Sequence, residues 1–386
     1  MQSWQLPEHI ADILPSAARR LESAKERLLA IFRVHGYELV SPPLLEYSDS
    51  LLTRIDDGLS LKTIRVVDQL SGHQLGLRAD ITPQVARIDA HLLSGNNGIN
   101  RLCYAGTILH ARPDGFLSTR EPLQIGAELY GYSGIDADIE LIELMLKSLS
   151  ALNVTQIQLS LGHIGIFHAL SQAAQLSQTQ AKELLGVMQT KDVAATRECL
   201  RPWQLDTQWA NAFALLPSLY GYKETLAKAQ ADLPELPAVQ AALNDLQTVC
   251  AALPEQNPFI DLSELRVDSY HSGLLFAVYG SDWPDVLVRG GRYDGLGAYF
   301  GRARPATGFS FDLRDLIDHL PQADGLRAIK VNATDAASAK HEIERLRGSG
   351  ECVVIDYANA QANAPLLNHC DRQLVWQHAQ WQVVSL

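Results

Sequence analysis

Cysteine is scarce and scattered in this 386-residue chain. The five residues Cys103, Cys199, Cys250, Cys352 and Cys370 are odd in number and include no CxxC pair. They offer neither a zinc ligand set nor a disulfide framework, and they fit a reducing compartment. No metal and no cofactor are expected. No apolar run approaches the roughly 20 residues of a membrane-spanning helix, and the N-terminal stretch lacks the basic-then-apolar order of a secretory signal. The expectation is a cytoplasmic protein without membrane association. Cations are short as well, with 32 Lys and Arg against 44 Asp and Glu, a formal net charge of -12. Neutralising phosphates with Lys and Arg supplies most of the affinity for RNA, so tRNA is not an expected partner. What remains is globular in composition, 47% hydrophobic and 20% charged, and long enough for two or more domains.

Periodicity sets the elements. Leu21, Ala24, Leu28, Ile31 and Phe32 recur at helical spacing between Ser16 and Gly36, and Tyr37 to Val40 follows as an extended segment before Pro42-Pro43. Leu61 to Leu77 reads as a hairpin, and Ala137 to Leu152 as a helix with Asp136 and Asp138 at its positive end. From about 165 to 255 the composition turns to Ala, Gln and Leu at helical spacings broken by prolines, which marks a helical insertion. Strand patterns return at Phe259 and Gly273, and a short α/β pattern of near-neutral charge follows Pro321. The division expected is 1–320 and 321–386.

The chemistry gathers on a few stretches. Arg101 to Gly131 reads as two strands joined by the turn Arg112-Pro113-Asp114-Gly115. The returning strand carries Gln124 and Glu128, an even number of residues apart and so on one face. A carboxylate among apolar neighbours needs a partner, which an amine or imidazole ligand supplies. Asp80 and Thr82 precede a segment that Pro83 could open as a capped helix. Arg266, ahead of an apolar strand, is suited to a carboxylate or equally to the surface. In Val288-Arg289-Gly290-Gly291-Arg292-Tyr293-Asp294-Gly295 the paired glycines let backbone approach closely, and Tyr293 offers a wall to a planar ligand.

These stretches resemble the class II aminoacyl-tRNA synthetases, and within them the histidyl enzyme. Gly36, Glu38, Pro42 and Glu46 match motif 1, which forms the dimer interface there; Arg101–Gly131 matches motif 2; Pro305 to Asp315 matches motif 3; and Gly290 to Gly295 matches a Gly, Gly, Arg, Tyr, Asp, Gly string of the histidyl enzyme. The resemblance implies an α+β fold with an antiparallel sheet flanked by helices, a helical insertion and a small C-terminal α/β domain. It also implies that Asp80, Thr82 and Gln124 hold an ammonium, Glu128 an imidazole and Arg266 a carboxylate, with Tyr270 and Tyr293 as walls.

The ATP site departs from the pattern. The arginine for the α-phosphate falls on His110, the glutamate for the adenine end on Arg112, and the arginine for the γ-phosphate on Asp315. Neutral imidazole serves polyphosphate poorly, and the other two positions change sign. Arg314 stands one place early, about 100 degrees away if the segment is helical. A retained amino-acid pocket beside a disabled ATP site resembles the regulatory subunits of ATP phosphoribosyltransferase. That resemblance implies no catalysis, a hetero-octamer with the short-form catalytic subunit, a self-dimer through about residues 16–46, activation, and feedback by L-histidine in histidine biosynthesis. An active histidyl-tRNA synthetase, an amino-acid:carrier-protein ligase and a stand-alone histidine-binding module are the alternatives.

Overall fold

A computed structural model describes residues 4–51, 57–115, 118–263, 270–281, 283–320, 327–357 and 370–386. Arg266 lies outside the described residues. The chain divides into two compact units. One holds the residues up to Ile13 and those from Leu21 to Leu320; the other holds Leu14–Arg20 and the C-terminal residues.

In chain order the strands of the first unit begin with β1 (Glu38–Leu39), β2 (Leu45–Tyr47), β3 (Arg65–Val67), β4 (Gln74–Leu77), β5 (Asn100–Thr107) and β6 (Leu123–Tyr130). They continue with β7 (Ile157–His163), β8 (Tyr220–Gly221), β9 (Phe259–Asp261), β10 (Leu274–Gly280), β11 (Val286–Arg292) and β12 (Ala306–Asp312). Nine of them form one sheet in the order β1-β5-β6-β12-β11-β10-β7-β9-β8. Every pairing from β5 across to β7 is antiparallel. Towards the margins β1 lies parallel to β5 and β9 parallel to β7, while the outermost β8 pairs antiparallel with β9. Strands β2, β4 and β3 form a separate small antiparallel sheet, and the turn between β3 and β4 uses Gly72 at φ +75.

Helices cover the large sheet because their apolar stripes need burial. Helix Pro15–Val34 starts on its proline, buries Leu21, Ala24, Leu28 and Phe32, and is followed by Gly36 in the left-handed region at φ +83. Phe32 meets Phe309 of β12 edge-on at 6.0 Å. The apolar stripe of this helix is thus packed into the chain's own core. Six α-helices lie between Ile164 and Ala252. Phe167, Phe213, Leu243 and Leu246 belong to the same buried cluster as the sheet residues Ile125 and Leu161, so the insertion shares the sheet's core.

Helix Asp136–Ala151 carries an ion pair that sequence reading missed. Asp138 stands in the first turn, as expected, and it is also buried and bound to Arg292 of β11, whose Nε donates to Oδ2 at 3.1 Å. Thr307 of β12 donates to Oδ1 at 2.7 Å. Asp138 thus clamps two neighbouring strands to the helix, immediately beside Tyr293 and Gly308.

The second unit carries a four-stranded sheet, β13 (Ala328–Asn332), β14 (Cys352–Asp356), β15 (Cys370–Gln377) and β16 (Gln380–Ser385), in the order β14-β13-β15-β16. Helix Lys340–Gly348 buries Ile343 and Leu346 in a core with Ile329, Val331 and Leu374.

Candidate functional site

Glu128 is the centre. It sits on β6 between Leu102 of β5 and Gly308 of β12, and it is 1% exposed. Three hydroxyls donate to it: Tyr104 Oη at 3.0 Å, Thr82 Oγ1 at 3.1 Å and Tyr293 Oη. Among the described residues no lysine or arginine hydrogen-bonds to this carboxylate or pairs with it. Burial pushes its pKa up to about 8, against the pull of the three donors. Burial also raises the tyrosine hydroxyls of Tyr104, Tyr130 and Tyr293 well above their ordinary range, with the Glu128 charge acting in the same direction. They stay protonated and remain donors.

Two residues along the same face, Gln124 orders the second half of the pocket. Its Oε1 accepts from the Ile81 amide at 2.9 Å, while Nε2 donates to Asp80 Oδ1 at 2.8 Å and to Ser310 Oγ at 3.1 Å. The Thr82 amide donates to Asp80 Oδ1 at 3.1 Å, and Tyr270 Oη lies 3.5 Å from Asp80 Oδ2. Tyr270 stacks on His271 at 4.8 Å and meets Tyr293 edge-on at 5.8 Å. Asp80, Thr82, Gln124, Glu128, Tyr270 and Tyr293 are thus brought together. Tyr293 is not only a wall, since its hydroxyl is directed to Glu128.

Two glycines make room for these side chains. A Cβ on Gly126 would strike the Tyr104 ring, and one on Gly308 would strike the Glu128 carboxylate. Gly308→Ala is expected to cost about 1–3 kcal/mol through overpacking, read from the midpoint of urea unfolding.

The positions at which the synthetase pattern expects ATP ligands are placed as follows. His110 is buried, and its Nε2 lies 3.1 Å from the Ala79 carbonyl oxygen. Arg112 is exposed in the turn after it. Asp315 and Arg314 are not on a helix but in a run of turns, because Asp312 Oδ1 accepts the Arg314 amide at 2.8 Å and bends the chain at the end of β12. Arg314 is directed away from any phosphate role: Nη1 donates to Glu121 Oε2 at 2.8 Å and Nη2 to the Ala11 carbonyl at 3.1 Å. Burial, then the neighbouring Asp315, pushes Asp312 up to about 7. Asp315 is also raised, by burial and by Asp285 and Asp114. Acids crowd this end of β12.

Sequence reading missed Tyr104, Tyr130 and Ser310. Tyr104 alternates with Leu102 and so looked like core; only the β5–β6 register, which sets it opposite Gly126, directs its hydroxyl to Glu128.

The site and sheet define a class II synthetase-like protein of the histidyl type: the Histidyl-tRNA synthetase family model matches residues 9–316. The region after it, residues 326–384, matches the model described as ATP phosphoribosyltransferase subunit HisZ C-terminal domain. The chain is 64% identical over 357 residues, 92% of its length and 93% of the relative's, to an ATP phosphoribosyltransferase regulatory subunit of Neisseria meningitidis serogroup C. It is 53% identical to one from Chromobacterium violaceum, with 99% of each chain covered. The solved structure of an ATP phosphoribosyltransferase regulatory subunit/histidyl-tRNA synthetase from Bacillus halodurans C superposes with a TM-score of 0.82 at 25% identity, covering 94% of this chain and 95% of that one. The chain belongs to the ATP phosphoribosyltransferase regulatory subunits. Neither curated relative is named a synthetase or a ligase.

Proposed function

We propose that this chain binds the short-form catalytic subunit of ATP phosphoribosyltransferase, raises its turnover, and conveys feedback by L-histidine in the first step of histidine biosynthesis. The observation that carries the ligand is Glu128, a buried carboxylate given three hydroxyl donors and no cation from the described residues. A small cationic group completes such a site. Histidine supplies two: its ammonium faces Asp80, Gln124 and Thr82, and its imidazole faces Glu128. Arg266 is assigned the carboxylate from the sequence.

Assembly follows from the surface left uncovered. Leu39, Leu44, Leu45, Tyr47 and Val67, on the motif 1 segment and the small sheet, are all more than 40% exposed. Exposed apolar groups favour a protein contact, and a second copy pairing through about residues 16–46 is the self-dimer this reading contains. Four such chains with four catalytic subunits make the hetero-octamer, in the cytoplasm.

The test is reconstitution. Added to the short catalytic subunit, the chain should co-elute with it and raise its turnover, and histidine should lower the rate of the complex. Absence of both co-elution and activation would remove the proposal.

A further inference from the structure

From these contacts we infer that His110, the residue that displaces a phosphate-binding arginine in the synthetase pattern, is a positioning residue for the amino-acid pocket. The inference rests on the histidine reading for its ligand, but its geometry stands independently. The pocket residues Asp80 and Thr82 lie on the segment Arg78–Thr82, which has no regular secondary structure of its own until the short helix Thr82–Arg87 begins. A segment without ladder bonds must be held by other groups if its side chains are to keep one geometry.

Each residue of that segment is tied from outside. The Arg78 amide donates to the Leu44 carbonyl at 3.0 Å, and its carbonyl accepts from the Leu109 amide at 2.9 Å. The Arg78 guanidinium is buried and donates to the Thr107 carbonyl at 2.8 Å and the Pro42 carbonyl at 2.7 Å. The Ala79 carbonyl faces His110 Nε2 at 3.1 Å. The Ile81 amide is held by Gln124. The imidazole is therefore the side chain that fastens the peptide immediately before Asp80. For Nε2 to donate to a carbonyl it must carry the proton, which leaves Nδ1, without a hydrogen-bond partner, 3.6 Å from Asp114 Oδ2. An arginine here has a longer reach and is always charged, so it cannot reproduce the contact of the ring nitrogen with the Ala79 carbonyl. The substitution that removes the phosphate contact is the one that supplies the strut.

Three variants separate this from general damage. His110→Ala removes the donor. His110→Gln places an amide Nε2 where the ring nitrogen lies. His110→Arg restores the family's residue. In His110→Ala and His110→Arg, L-histidine should bind about tenfold more weakly by calorimetry, the loss expected for one buried hydrogen bond that orients two ligand groups. His110→Gln should stay within about threefold of the unaltered protein. In the ligand-free protein, hydrogen exchange at the Ile81 and Thr82 amides should speed up about tenfold in His110→Ala and return in His110→Gln. Wild-type-like exchange at those amides in His110→Ala, or equal loss in His110→Gln, overturns the inference. Silence of the unaltered protein toward histidine overturns the ligand reading instead, and the exchange measurement still decides the role of His110.

Discussion

Glu128→Ala should abolish measurable histidine binding, weakening it by roughly 10²- to 10³-fold, because truncating one partner of a buried charged pair costs about 2–5 kcal/mol. Glu128→Gln keeps the shape and should lose nearly as much. The pH dependence distinguishes a charge effect from a packing effect. Glu128 has its pKa raised to about 8 from 4.5, so in the empty folded protein at pH 7 it holds a proton that the unfolded chain has released. That proton stabilises the fold fully below pH 4.5, and the contribution is lost as pH rises through 8. A cationic ligand favours the ionised form, so binding at about pH 5.5, where a free imidazole of ordinary pKa about 6.5 is already cationic, should release about one proton. At about pH 7 the imidazole instead takes up the proton that Glu128 gives up. Calorimetry in buffers of different ionisation heat should detect it in the wild type and not in Glu128→Gln. Proton-neutral binding by the wild type at the lower pH would show that Glu128 does not change state on meeting the ligand.

Asp138→Ala should destabilise the protein by about 3–5 kcal/mol, since removing one partner leaves a buried charge uncompensated. Among the described residues Arg292 would keep Asp294 at 3.3 Å and the carbonyls of Tyr132 and Gly134. The double variant Asp138→Ala with Arg292→Met should lose less than the sum of the two, as buried pairs do when both charges go. Urea unfolding midpoints measure all three. Near-additive losses would mean that the two side chains act separately. Because Tyr293 follows Arg292 and Gly308 follows Thr307, the same variants should also loosen the hydroxyl and the bare backbone around Glu128.

Short-range pattern made part of this visible. Gln124 and Glu128 share a face whatever their partner strands, because alternation along one strand needs no register. The Gly290 to Gly295 string was conspicuous for the same reason, being contiguous. Tyr104 and Ser310 were not, since their orientation toward the site depends on β5, β6 and β12 pairing in one particular register, which brings Tyr104 to Glu128 across 24 residues and Ser310 to Gln124 across 186. Arg292 and Asp138, 154 residues apart, likewise announce nothing until helix and strand are packed. Arg314 shows how a local cue can mislead: a helical continuation was assumed after Asp312, but the side chain of that aspartate caps a turn. His110 looked like loss alone because sequence shows what a residue no longer resembles before it shows what it touches.

At Gly126 and Gly308 the missing side chains leave the room that the Tyr104 ring and the Glu128 carboxylate occupy, and this has an evolutionary consequence. Every replacement there adds atoms and displaces one of those two groups, so both positions are closed to gradual change. Drift at the site is channelled to Asp80 and Tyr270, where a side chain can be exchanged without adding bulk under the carboxylate.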